Sequence, residues 1–204
     1  MTVITKEEIL KGLTDVPLAL IALILGILLI RKAHVRQEWK YLFCILFPSA
    51  VLGVIVHTFS IHGTLYIIIW LVLNVLMFEL IRTFAHLMKN YVEKNQEEEK
   101  KITYVYEGIL LIASEILVFI KPDKSIYLFV IFSVICIIRI FVVMFTEGGI
   151  STKITIMMMV FLLALILQAL KARFPAGVAI AHLLVCINLF VLYEMALEGE
   201  THDE

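Results

Sequence analysis

The sequence predicts an all-α integral membrane protein, a bundle of seven transmembrane helices, and three observations carry that prediction. The 204 residues are 62% hydrophobic and only 17% charged, whereas a soluble domain is roughly 45–50% apolar and about 25% charged. The mean hydropathy is +1.01, which leaves too little polar surface to cover a water-soluble fold. Apolar runs of about 20 residues, long enough to cross the hydrocarbon of a bilayer, recur along the whole chain.

In order along the chain, Lys6 to Lys11 reads as a short polar helix at the interface. Thr14-Asp15 followed by Pro17 reads as a helix N-cap with proline just inside the next helix. The first span then covers about 16–30 and stops at Arg31-Lys32. A basic, aromatic-edged loop with His34, Arg36, Trp39 and Lys40 leads to the second span, about 41–61. His62-Gly63 turns the chain into the third, about 64–81. Residues 82–101 form the one long polar stretch, read as a helical extension into water plus a loop. Its charge run is a solvated face rather than a catalytic set. The remaining spans are about 102–120, 125–145, 154–170 and 176–195, followed by an acidic tail over 196–204. The expected organisation is one transmembrane domain over 1–204.

Composition also excludes functions. The formal net charge is −1 and no basic stripe is present, so nucleic acid is not an expected partner; membrane lipid is. Cys44, Cys136 and Cys186 lie scattered inside apolar runs and form no disulfide framework. The N-terminus carries Glu7 and Glu8 and lacks the basic-then-apolar layout of a cleaved signal, so the first span is expected to remain. Seven spans place the termini on opposite sides. The face holding the loops after spans one, three and five carries ten Lys and Arg against six on the N-terminal face. The positive-inside rule then puts the N-terminus outside and the C-terminus in the cytoplasm.

Depth brings the polar residues into register. Helical rise sets His57 about one turn below the N-terminal face, His182 about two turns below it and Glu115 one to two turns down. Asp15 begins span one at that face, Gln168 approaches it and His62 lies on it. Gly53 and His57 are spaced i, i+4, as are His182 and Cys186, so each pair shares a helix side. Imidazole, thiolate and carboxylate are the ligand set of zinc, with one position left for water in a catalytic site. Zinc is therefore the expected cofactor, with His57, His182 and Cys186 as candidate ligands and Glu115, Asp15 and Ser49 as candidate catalytic groups. The bland reading of His57 is an interfacial residue bonded to a carbonyl or headgroup. Glu107 and Arg139, at similar depth toward the other face, are expected to pair between spans four and five as structural glue. Met157-Met158-Met159 reads as packing.

Seven helices with a histidine late in the second and another early in the seventh resemble the CREST superfamily, which includes alkaline ceramidases, adiponectin-type receptors and hemolysin III-like proteins. Leu13-Thr14-Asp15 with Leu18-Ala19, Trp39, Leu52-Gly53 with His57-Thr58-Phe59, and Phe174 to His182 followed by Leu192-Tyr193 carry a narrower likeness. They look similar to an uncharacterised bacterial seven-helix family of that type. The resemblance implies a zinc ion held by one histidine of helix two and two of helix seven, with a serine one turn before the first. His57 and His182 take the two matching histidine positions. The serine position falls on Gly53, with Ser49 a displaced substitute, and the third histidine falls on Val178 or Cys186.

The expected function is therefore that of a CREST-like, metal-dependent hydrolase of lipid amides or esters with an incomplete site. Two alternatives stay open. One is a non-enzymatic seven-helix receptor, carrier or assembly protein. The other is a small transporter or channel with Glu115 on its path.

Overall fold

The computed structural model describes residues 6–59, 63–92, 101–121, 125–146, 151–170 and 176–198. They form α1 (Lys6–Ile30), α2 (Gln37–Thr58), α3 (Thr64–Val92), α4 (Lys101–Ile120), α5 (Ser125–Thr146), α6 (Thr152–Ala169) and α7 (Ala176–Glu198). The described chain is thus all-helical, with each helix near one expected span. Five stretches are long and apolar enough to cross a membrane: Gly12–Ile30, Gln37–Thr58, Thr64–Tyr91, Tyr127–Thr146 and Ala176–Glu198. Large apolar side chains such as Leu13, Ile112, Phe119 and Phe145 stand on the outside. Such a surface is stable against hydrocarbon and not against water. This is an integral membrane protein.

The helix boundaries depart from expectation in two places. α1 runs without interruption from Lys6 through Pro17, so Asp15 does not cap a helix there. Its carboxylate instead has a partner on another helix, described below, and that tertiary bond replaces the local cap. α2 starts and ends a few residues before the span read from hydropathy, at Gln37 and Thr58, which puts His57 in the last turn. His62 and the stretch 93–100 lie outside the described residues, as do 199–204 of the acidic tail. The first part of the polar stretch continues α3 as a helix to Val92.

The chain divides into two compact units. Met1–Ile61 and Thr152–Glu204 make the first, which holds α1, α2, α6 and α7. Glycines set the pairing of α1 with α2. A Cβ on Gly12 would collide with the Thr58 side chain, and one on Gly26 would lie 3.3 Å from Phe43 Cβ. One on Gly53 would lie 3.2 Å from Asp15 Oδ2. Residue numbers that rise on one helix as they fall on the other describe an antiparallel pair in close approach, made possible by missing side chains. α7 is tied to α6 by Asn188, whose Nδ2 donates to the Met157 carbonyl at 3.1 Å. Lys153 adds bonds to Glu198 at 2.7 Å and Glu194 at 3.6 Å.

The second unit, His62–Ser151, holds α3, α4 and α5. Phe78 of α3 stacks on Phe132 of α5 at 4.7 Å between ring centroids and meets Phe129 edge-on at 6.4 Å. Arg139 of α5 donates to Glu107 at 3.3 Å and to the Tyr106 hydroxyl at 2.8 Å, both on α4. The Glu107–Arg139 pair expected from depth is therefore present. Asn74 of α3 bonds Glu115 and Ser114 of α4.

Candidate functional site

Three residues expected to share a level are brought together in the first unit: Asp15 from α1, His57 from α2 and His182 from α7. Asp15 reaches α2 because Gly53 presents no side chain opposite its carboxylate. It reaches α7 because α1 and α7 pack side by side, with Asp15 nine residues into one and His182 six residues into the other. Asp15 Oδ1 is 2.9 Å from His182 Nδ1, and Asp15 Oδ2 is 3.9 Å from His57 Nε2. The two imidazole centroids are 6.3 Å apart, with planes inclined by 36°. One carboxylate thus stands between two imidazoles.

Burial makes this arrangement consequential. Asp15 is only 3% exposed and His182 7%, while the His57 side chain is 26% exposed. Asp15 Oδ1 faces His182 Nδ1, whereas Asp15 Oδ2 is buried without a hydrogen-bond partner. A buried, incompletely bonded carboxylate is costly, and such a group inside a membrane protein marks function by default. The tautomer of His182 with its proton on Nδ1 is the one that can donate to this carboxylate, and it leaves Nε2 as acceptor. Thr14 Oγ1, at 3.2 Å from the same Nδ1, helps fix the ring. The sequence showed no separate role for Thr14, because Thr14-Asp15 reads as a cap.

The other candidate residues take different places. Ser49 is buried and its hydroxyl donates to the Ile45 carbonyl at 2.8 Å, the back-bonding habit of a serine inside a helix. Cys186 is buried one turn along α7 from His182. Glu115 belongs to the second unit, where Asn74 Nδ2 donates to its Oε1 at 2.7 Å and Ser114 Oγ donates to Asn74 Oδ1 at 2.9 Å. Asn74 went unnoticed in the sequence. Its signal was an amide in the apolar run Ile67–Met77, where a polar group needs a partner on a neighbouring helix.

Zinc can be tested against this geometry. Two imidazoles and a carboxylate are suitable donors, and a histidine that gives its second N–H to a carboxylate is a familiar support for a metal ligand. In this conformation the two rings stand wider apart than one zinc ion would set them. Two imidazoles on one tetrahedral zinc would have centroids about 5 Å apart, and here Asp15 lies between more distant rings. Among the described residues no group of three or more His, Cys, Asp or Glu side chains is disposed to hold a metal ion.

A family model described as a family of unknown function, DUF6962, matches residues 10–201. The chain belongs to the DUF6962 family. That match takes in α1 from its second turn through α7 and so includes Asp15, His57 and His182 of this DUF6962 protein. No curated protein and no solved structure matches the chain.

Proposed function

We propose that this DUF6962 protein is a CREST-like seven-span membrane protein whose Asp15–His57–His182 cluster is the centre of a hydrolase for lipid amides or esters. The observation that carries the reading is the 2.9 Å contact between Asp15 Oδ1 and His182 Nδ1. A carboxylate in that position holds the imidazole in one tautomer and stabilises its charged form, which makes Nε2 a general base.

Depth supports the substrate class. His182 is six residues into α7 and His57 is in the last turn of α2, so the site lies within about 9 Å of the helix ends. Amide and ester linkages of membrane lipids sit at that level, between headgroup and acyl chain. In the proposed reaction, Nε2 of His182 removes a proton from water as the oxygen attacks the acyl carbonyl. The C–N or C–O bond then breaks, and the proton passes from Nε2 to the leaving amine or alcohol. His57, across the carboxylate, is the second proton carrier. No step is assigned to zinc. The reading retains the orientation expected from loop charge, with the N-terminus outside.

The test is fatty-acid release by purified full-length protein from N-acyl and O-acyl lipids in mixed micelles, with and without added zinc. Asp15→Asn and His182→Ala each lower the rate between about 10²- and 10⁴-fold, with helical content unchanged. Zinc analysis runs beside it: stoichiometric metal, lost in the His57→Ala, His182→Ala double variant, would show that the cluster rearranges around an ion. Folded wild-type protein that releases no fatty acid under any of these conditions sinks the hydrolase reading.

A second reading has its own observation. Gly53 stands where the resemblance asks for serine, and Ser49 is committed to Ile45. A receptor, carrier or assembly protein could use the Asp15–His182 bond to clasp α1 to α7. That role predicts lower thermal stability for Asp15→Asn and no acyl-lipid turnover in any variant.

A further inference from the structure

The second unit contains a polar chain that the proposed hydrolase does not use. Ser114 is fully buried and Asn74 is 5% exposed. The serine hydroxyl donates to the amide oxygen at 2.9 Å and the amide N–H donates to Glu115 Oε1 at 2.7 Å. Every donor in the series points toward Glu115. The chain begins in the packed interior and ends on a half-buried carboxyl. Glu115 lies fifteen residues into α4, five before its end, well inside the apolar part of that helix.

We propose that Glu115 is an ion-exchange site of the second unit, a carboxyl that takes up and releases a proton or a small monovalent cation. Helix adhesion alone does not account for the residue. A glutamine would accept the same bond from Asn74 and hold α3 to α4 without the cost of a carboxylate in hydrocarbon. What the carboxyl adds is the ability to exchange a cation. The Ser114–Asn74 chain supplies one ordered N–H to the ionised form, and Oε2 is left for the incoming ion.

The surroundings leave that exchange to Glu115 itself. α3 contributes Asn74 at this level, and Glu79 and Arg82 farther along it pair with each other at 2.7 Å. The register set by Glu107–Arg139 brings Ile131 of α5 level with Glu115, with Tyr127 one turn away. On α4, Glu107 lies about 12 Å along the axis and is engaged with Arg139, as is Tyr106. Cys136, in the middle of α5, is offset by about 7 Å along the axis from Ile131, toward Arg139.

The test uses purified full-length protein and dicyclohexylcarbodiimide, an apolar reagent that modifies protonated carboxyls within membranes. The acid O–H adds across one C=N bond: oxygen bonds to carbon, the proton goes to nitrogen, and the O-acylisourea rearranges to a stable N-acylurea. Intact-mass and peptide mass spectrometry should find one adduct on Glu115. Its rate should fall about tenfold per pH unit above the midpoint of the profile. Labelling unaffected by sodium or lithium identifies a proton site; labelling slowed by either at fixed pH identifies a cation site of the same chemistry. Glu115→Gln removes the adduct and keeps the Asn74 bond. Absence of a Glu115 adduct at every pH, or labelling that ignores both pH and salt, overturns the proposal. The outcome is independent of lipid hydrolysis, because neither Asp15 nor His182 takes part.

Discussion

The two units place ionisable groups in apolar helices in contrasting ways. In the first, Asp15, His57 and His182 come from three helices and gather around one carboxylate, of which Oδ2 stays without a hydrogen bond. In the second, each ionisable group meets a partner on one neighbouring helix, Glu107 a guanidinium of α5 and Glu115 an amide of α3. The helix contacts differ in the same sense. Missing side chains at Gly12, Gly26 and Gly53 bring α1 onto α2, whereas polar bonds and stacked phenylalanines join α3, α4 and α5. A buried carboxylate oxygen goes without a hydrogen bond in both units, Asp15 Oδ2 in the first and Glu107 Oε2 in the second; what differs is the company, two imidazoles able to carry protons around Asp15 and a fixed guanidinium beside Glu107.

That contrast can be broken most severely at Arg139. Replacing it with Met leaves the Glu107 carboxylate, 8% exposed, without its cation. The second unit should lose about 3 kcal/mol, the low end for breaking a buried pair, because the guanidinium is one-third exposed. Adding Glu107→Gln should recover most of the loss, measured by thermal unfolding in detergent. If Arg139→Met alone is neutral, the pair is not what holds α4 to α5.

The corresponding strike on the first unit is Gly12→Ala. The added methyl overlaps the Thr58 side chain and should cost about 1–2 kcal/mol as α1 moves off α2. Thr58→Ala in the same chain should relieve much of it. A neutral Gly12→Ala would mean that close backbone approach is not the principle of this pair. The mildest change is Lys153→Ala at the exposed join of α6 and α7, where two ion pairs are lost. Exposed pairs contribute little, so the melting temperature should stay nearly constant, and a drop of several degrees would give the ends of that hairpin unexpected weight.

Much of the helical architecture was legible in the sequence because a span must be both long and apolar, and both properties can be counted. Depth arithmetic also anticipated the Glu107–Arg139 pair and the shared level of Asp15, His57 and His182, since helical rise is constant. Residue 15 shows where such reading stops. Thr14-Asp15 before Pro17 carries every local mark of an N-cap, yet the helix begins at Lys6 and the carboxylate turns to His182. Local propensity weighs about 1 kcal/mol in such choices, and one charge-assisted bond across helices exceeds it. Ser49 goes the other way: its hydroxyl donates to the Ile45 carbonyl of its own helix. Glu115 was found by its charge, but Asn74 and Ser114 were not, because neutral polar residues in a span announce no partner.

Pro17 has a mechanical consequence. Proline has no N–H, so the bond that would close the turn from Pro17 back to the Leu13 carbonyl cannot form. Thr14 and Asp15 sit on that unclosed turn. The turn left open by Pro17 therefore carries Asp15, while Gly26 against Phe43 clamps the helix about three turns farther on. Bending at Pro17 would swing the carboxylate relative to His57 and His182 together with Gly12 on Thr58, and leave the Gly26–Phe43 part of the α1–α2 seam at rest.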